Sequence, residues 1–157
     1  MKSALKLELE EAKIMVEAAK KAAAGANALQ SICIVDEGGY VIALERMNGA
    51  RITGPEIAIA KAFTASGHKR STHLFTRPGG PATVTGEAFG IHAMMPGKFA
   101  IFVGGFPIVV NGEVIGGVGV SGGNGEQDIA VGTAALAALQ AHLGPDYEVR
   151  VEADIKL

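Results

Sequence analysis

The sequence predicts an α+β fold in which helices cover an antiparallel sheet. Near the N-terminus, apolar residues recur at spacings of three and four, as they do on one face of an amphipathic helix. Further along, short runs rich in Val and Ile are separated by tight glycine turns, a pattern typical of neighbouring antiparallel strands. The length of 157 residues is that of one domain, so we expect residues 1–157 to form a single unit.

The elements are predicted in the order α-β-β-α, then a long loop, then β-β-β-α. The predicted helices are residues 4–24, 53–66 and 125–143. The predicted strands are Ser31–Asp36, Tyr40–Leu44, Phe99–Val103, Pro107–Val110 and Glu113–Ser121. Asn111 and Gly112, between the last two strands, are a strong short hairpin signal. Thr53 and Glu56 predict a capping box at the start of the second helix, which Gly67 is expected to end.

Two segments have no clear periodicity. Residues 68–98 include the run Arg77–Pro81, whose glycines and prolines predict a loop, and a short helix is expected near Thr85–Met94. Near the C-terminus, Asp146–Val151 is expected either to add a strand or to lie along the surface.

Composition excludes several classes of partner. The formal net charge is -2 and the isoelectric point about 6.1, whereas a nucleic-acid-binding domain needs a basic surface. No run reaches the roughly 18 apolar residues that cross a membrane, and no signal peptide is recognisable, so we expect a cytoplasmic protein without a membrane partner. Cys33 is the only cysteine, and its apolar neighbours predict a buried, inert thiol.

A glycine-rich stretch between the last strand and the last helix is the most conspicuous local motif. Residues 117–122 match the dinucleotide pattern G-x-G-x-x-G, and residues 119–123 match the nucleophile elbow G-x-S-x-G. The preceding strand is a hairpin return rather than part of a βαβ unit, and Asp128 and His142 are too far apart on one helix to complete a triad. The stretch instead predicts an anion-binding loop, with Gly119, Ser121, Gly122 and Gly123 contacting a ligand, or simply a capped helix start.

Three blocks of residues resemble one known family. Val35-Asp36, Gly39 and Glu45 through Ala50 resemble its "VD-x-x-G … R-M-D-G-A" block, and residues 59–65 resemble its "A-x-x-K-A-x-T-A" helix. Residues 104–108, 112, 115–123 and 127–128 resemble its "GG-x-PI … G … IG-x-x-GVSGG … QD" signature. On these residues the chain resembles the GlcG/HbpS family, which includes the C-terminal domain of the PduO cobalamin adenosyltransferases.

The resemblance implies a profilin-like fold with a five-stranded antiparallel sheet. It also implies a homo-oligomer, a dimer or a higher form up to an octamer. Haem or a related tetrapyrrole is the ligand that the family implies, although other members resemble small catabolic enzymes. Asn48 stands where the family has Asp, which leaves Arg46 without an obvious acidic neighbour.

Several charged residues are candidates for chemistry on a small, anionic molecule. Arg46 and Lys61 are predicted to bind the anion. Lys61 lies among apolar residues, which favours a lowered pKa and a role as base or nucleophile, or else a structural ion pair. Asp128 and Glu126 are predicted to move a proton, or else to complement the positive end of the last helix.

The histidines are the candidates for a haem ligand. His68 and His92 lie in or beside the irregular segment and are predicted to ligate haem iron, or else to be exposed loop residues. The spacing of the four histidines matches no metal-binding pattern, so no metal site is predicted. Three hypotheses remain open: a haem- or tetrapyrrole-binding protein; a deaminase, tautomerase or lyase acting on a small carboxylated metabolite; and a non-catalytic oligomeric scaffold or cofactor chaperone.

Overall fold

The computed structural model describes residues 1–157 and consists of three helices around a four-stranded antiparallel sheet. The helices are α1 (Leu9–Gly25), α2 (Gly54–His68) and α3 (Gly125–Leu143). The strands are β1 (Ser31–Asp36), β2 (Val41–Arg46), β3 (Gly105–Val110) and β4 (Glu113–Ser121), in the spatial order β2-β1-β4-β3. The α+β class is thus confirmed, but the sheet has four strands and not the predicted five.

The predicted strand Phe99–Val103 is the one that does not form. Its backbone groups bond to threonine hydroxyls instead of a neighbouring strand. The Ala100 amide donates to Thr64 Oγ1 at 2.8 Å, and Thr76 Oγ1 donates to the Ile101 carbonyl at 2.8 Å. Because these side chains satisfy the backbone, the segment stays irregular until the ladder begins at Gly105.

The two faces of the sheet are covered differently. Ile32 and Ile34 of β1 belong to the main core, which is formed with α1 and α3. Cys33 and Val35 point the other way and pack on Ala58 and Ala62 of α2 in a second, smaller cluster. This alternation places α2 alone on one face and the pair α1 and α3 on the other.

The helix starts differ in part from the predictions. The first helix begins at Leu9 rather than residue 4, because the Glu11 carboxylate accepts from the Glu8 amide and closes a capping box there. Thr53 has helical dihedral angles and its side chain caps nothing, so the predicted box with Glu56 is absent. A box does form at α3, where Asn124 and Gln127 exchange two hydrogen bonds of 2.9 Å.

The end of α2 and the loops agree with the predictions in part. Helix α2 runs past Gly67 to His68 and ends at Lys69 with a φ of 51°. Residues 69–98 are irregular, as predicted, except for 3₁₀ turns at Thr72–Phe75 and Ile91–Ala93; the latter is all that forms of the expected helix near Thr85–Met94. The segment 146–151 lies along the surface with one bridge, Val149 to Val110.

None of the three helices is both long enough and apolar enough to cross a membrane.

Candidate functional site

A buried ion pair joins α2 to α3 beneath the end of β4. Lys61 Nζ lies 3.1 Å from Asp128 Oδ2 and donates to the Val120 carbonyl at 2.7 Å. The other carboxylate oxygen, Asp128 Oδ1, accepts from Gln30 Nε2 at 2.7 Å and from the Gly123 amide at 3.1 Å. Lys61 and Asp128, which the sequence singled out separately, therefore form an ion pair, and each charge has more than one hydrogen-bond partner.

Close packing of α2 on the sheet brings Lys61 to this position. Gly119 of β4 faces α2, and a Cβ atom at that position would collide with the Ala58 carbonyl oxygen. The missing side chain lets the helix backbone lie almost on the strand. Lys61, one turn after Ala58, can therefore extend its amine past the strand to the start of α3.

Burial dominates the electrostatics of the pair. Lys61 is 2% exposed and Asp128 is 3% exposed. Loss of hydration lowers the pKa of Lys61, and the negative charge of Asp128 offsets that effect only in part. Loss of hydration likewise raises the pKa of Asp128, against the opposing effects of Lys61, the Gly123 amide and Arg51. Both shifts oppose ionisation, so the pair is an electrostatically costly arrangement.

The Phe102 ring lies over the Lys61 amine. Lys61 Nζ lies 4.9 Å from the centre of the ring, and Phe102 itself is 50% exposed. An amine that donates to a carboxylate and a carbonyl and lies under an aromatic ring cannot attack a substrate without movement of Phe102. The geometry is that of a buried structural pair.

The principal cleft is lined by other residues of α2 and contains neither member of this pair. It has a volume of about 510 Å³ and runs between the β1–β2 turn, α2 and the loop at 96–98. Its lining residues are Gly38, Gly39, Tyr40, Val41, Glu56, Ile59, Ala60, Phe63, Pro96, Gly97 and Lys98. A second depression of about 280 Å³, which Phe102 lines, shares Glu56, Ala60 and Gly97 with it. The two adjoin along α2 and are called the groove below; the larger one is in the size range of small-ligand sites.

The remaining predicted ligand contacts are dispersed. Arg46 is exposed at the end of β2 and makes no ion pair, and Glu126 is exposed in the first turn of α3. Ser121 is buried, whereas Gly122 is partly exposed. The Gly123 amide, predicted to meet an external anion, is bonded to Asp128, so the chain's own carboxylate lies where the anion was expected.

Neither predicted haem ligand lines the cleft. The ring of His68 stands edge-on to those of Phe75 and Phe99, at 5.5 and 5.0 Å between ring centres. Burial and the charge of Arg70 lower the pKa of His68. His92 is exposed in the 3₁₀ turn at Ile91–Ala93. Their role as iron ligands stays a prediction.

The cleft residues Tyr40, Phe63 and Lys98 were not among the predicted site residues. They come from three separate segments, and nothing in their local spacing shows that a turn, a helix and a loop will meet. The one available signal was the pair of glycines before Tyr40, which indicates a turn that can approach another element closely.

The comparison with protein families identifies the relatives of this chain. Residues 7–137 match the family model described as "Haem degrading protein HbpS-like". The chain belongs to the HbpS-like family. It is 36% identical over 108 residues to corrinoid adenosyltransferase PduO of Citrobacter freundii; the match covers 69% of this chain and 31% of PduO. It is also 34% identical to protein GlcG of Escherichia coli K12 over 124 residues, which are 77% of this chain and 85% of GlcG.

A solved relative has the same architecture. The crystal structure of the PduOC:haem complex superposes with a TM-score of 0.83 and 28% identity, over 94% of this chain and 99% of that one. These matches confirm the predicted GlcG/HbpS resemblance. Because this chain spans about a third of PduO, the activity of that whole protein is not carried over.

Proposed function

We propose that this protein binds haem or a related tetrapyrrole in the cleft between the β1–β2 turn and α2. The observation that carries the proposal is the likeness to the PduOC:haem complex, combined with an apolar cleft of about 510 Å³ in this chain. A porphyrin needs apolar walls for its flat ring and cations for its carboxylates. Ile59 and Phe63 supply such walls, and Lys98 supplies a cation at the rim.

A hemin titration tests this proposal, with the Soret band as the readout. We expect a saturable shift of that band on addition of hemin. Ala60→Phe, which fills the centre of the groove, should weaken hemin binding about tenfold or more. Ala138→Phe is the matched control, since Ala138 is also a half-buried helical alanine lining a surface depression, on the opposite side of the sheet. A wild-type protein without a Soret shift, or equal weakening by both variants, would contradict the proposal.

A parallel titration with cobalamin addresses the choice of tetrapyrrole. PduO, a relative of this chain, is a corrinoid adenosyltransferase. Binding of cobalamin but not hemin in the same cleft would move the assignment from porphyrins to corrinoids.

The burial of Lys61 favours ligand binding over catalysis. A proton-transfer or Schiff-base mechanism needs this amine at the substrate, whereas it is 2% exposed and lies under Phe102. Catalysis by Lys61 and Asp128 would therefore require a different position of the Phe102 segment.

We also propose self-association, which the sequence resemblance implied. Its support is an exposed set of large apolar side chains in the irregular segment: Val84, Phe89 and Met94 are 82%, 64% and 79% exposed. Patches of this kind commonly mark interaction surfaces. Static light scattering measures the number of subunits, and a monomer in solution would contradict self-association. The cytoplasmic location stays a prediction.

A further inference from the structure

We propose that Tyr40 supplies the axial oxygen ligand to haem iron in this cleft, an inference that rests on the proposed haem binding. Iron in haem proteins is held by His, Cys, Met or Tyr side chains. The lining of the principal cleft contains no His, Cys or Met, and its only tyrosine is Tyr40. Tyr40 is therefore the one side chain on that lining with an established haem-ligating chemistry.

The β1–β2 turn holds the Tyr40 backbone firmly. Asp36 Oδ1 accepts from the Gly38 amide at 2.9 Å and from the Tyr40 amide at 3.0 Å. The Asp36 amide in turn donates to the Tyr40 carbonyl at 2.9 Å. Both backbone polar groups of Tyr40 are thus bonded, so the side chain extends from a fixed base.

The same turn is packed directly on the helix that forms the floor of the cleft. Gly39 has a φ of +84°, and a Cβ atom there would collide with the Phe63 ring. Only glycine permits both this dihedral angle and this contact. The packing sets Tyr40 at the rim of the cleft, where it is 78% exposed and its phenolic oxygen makes no hydrogen bond to the rest of the chain.

The histidines are placed for other contacts. His73 Nε2 lies 2.6 Å from an Asp154 carboxylate oxygen, and His142 faces Glu11 at 3.9 Å. The exposed His68 contacts the rings of Phe75 and Phe99, which also contact each other. None of these three lines either depression along α2, and neither does His92.

The chemistry of a phenolate ligand has consequences for both pH and redox state. When the Fe–O bond forms, the phenolic proton leaves to solvent, so hemin affinity should rise with pH. An anionic oxygen is a hard ligand that favours ferric over ferrous iron. Lys98, whose Nζ lies 6.0 Å from the centre of the Phe63 ring, is placed to meet a haem carboxylate. We expect tight binding of hemin and weaker binding once dithionite has reduced it.

The test compares Tyr40→Phe with wild type by absorption and electron paramagnetic resonance spectroscopy of the hemin complex. Wild type should show the charge-transfer bands and high-spin signal of a ferric phenolate. Tyr40→Phe should lose both and bind hemin about tenfold or more weakly. Since Tyr40 is largely exposed, the loss of its hydroxyl should leave the melting temperature unchanged.

Tyr40→His, His68→Ala and His92→Ala separate ligation from packing. Tyr40→His should restore tight binding with the spectrum of a histidine-ligated haem, while the two alanine variants should retain the wild-type spectrum. If wild type binds hemin and Tyr40→Phe leaves the spectrum unchanged, the Tyr40 assignment is wrong while haem binding stands. If wild type binds no hemin at all, the proposed function fails first.

Discussion

The two faces of the sheet are packed by different means. On the face covered by α1 and α3, large side chains such as Ile34, Phe106 and Leu136 form the main hydrophobic core. On the face covered by α2, Gly119 lies against the helix backbone and only four buried residues form an apolar cluster. The first face stabilises the fold through apolar area. The second brings the backbones close together, which leaves a buried charge pair and an open groove along its helix.

The largest expected effect comes from breaking the charge pair on the α2 face. Lys61→Met leaves the buried Asp128 carboxylate without its countercharge, and we expect the free energy of unfolding to fall by about 3–5 kcal/mol. Asp128→Asn should have an effect of the same sign. Urea denaturation measures both.

The double variant Lys61→Met/Asp128→Asn provides the control. Because replacing both partners removes the buried charges, it should be much less destabilised than the sum of the single variants. Additive effects would show that the pair does not interact. The free energy of unfolding of the double variant, compared with that of wild type, also measures the net cost of burying the two charges.

The sign of the pH dependence follows from the two pKa shifts. The raised pKa of Asp128 favours folding most below the ordinary carboxyl range, and this contribution is lost as pH rises through the raised value. The lowered pKa of Lys61 favours folding most above the ordinary amine range, and this contribution is lost as pH falls through the lowered value. Between about pH 4 and pH 10, the stability of the double variant should therefore vary less than that of wild type.

The close approach of α2 to β4 predicts the next effect. Gly119→Ala places a methyl group against the Ala58 carbonyl and should destabilise the protein by about 1–3 kcal/mol or more. Gly67→Ala is the matched control: Gly67 lies in α2 with nothing within 4 Å of the position that a methyl group would take, so a gain of up to about 1 kcal/mol is expected. Equal effects of the two substitutions would refute the steric argument. Thermal unfolding of the two variants measures the difference.

The smallest effect is expected at the threonine that holds the segment 99–103. Thr64→Val keeps the shape of the side chain but leaves the buried Ala100 amide without its acceptor, a loss of about 1–3 kcal/mol. Thr133→Val is the control, since the Thr133 hydroxyl bonds only to carbonyls of its own helix. A comparable loss in both would mean that the hydroxyl of Thr64 has no special role. Chemical denaturation again provides the measurement.

Local signals in the sequence predicted much of the sheet. Asn111 and Gly112 both adopt positive φ, at 51° and 80°, as a tight hairpin turn requires, and the β3–β4 hairpin is confirmed. Phe99–Val103 has the apolar composition of a strand, but its backbone partners are hydroxyls on Thr64, Thr72 and Thr76. No periodicity within the segment indicates partners that lie so far away along the chain.

The candidate site, like the sheet, was predictable from the sequence only in part. A lysine among alanines and an acid at a helix start pointed to Lys61 and Asp128, and the two do meet. The cleft at Tyr40 depends on how Gly39 packs against Phe63, a tertiary contact between separate elements. A charged residue in an apolar run can be recognised in the local sequence, whereas a groove formed by separate segments cannot.

The strand order has a consequence for how the chain folds. Each hairpin, β1–β2 and β3–β4, joins strands that are neighbours in sequence and can form early. The two hairpins are joined by the pairing of β1 with β4, in which Asp36 is opposite Gly116. This pairing closes a loop of about half the chain. Loop closure of that length is an entropic barrier, and contacts between distant residues slow folding. We therefore expect the pairing of the two hairpins to be the slow step of folding, and the same event places the end of β4 over Lys61.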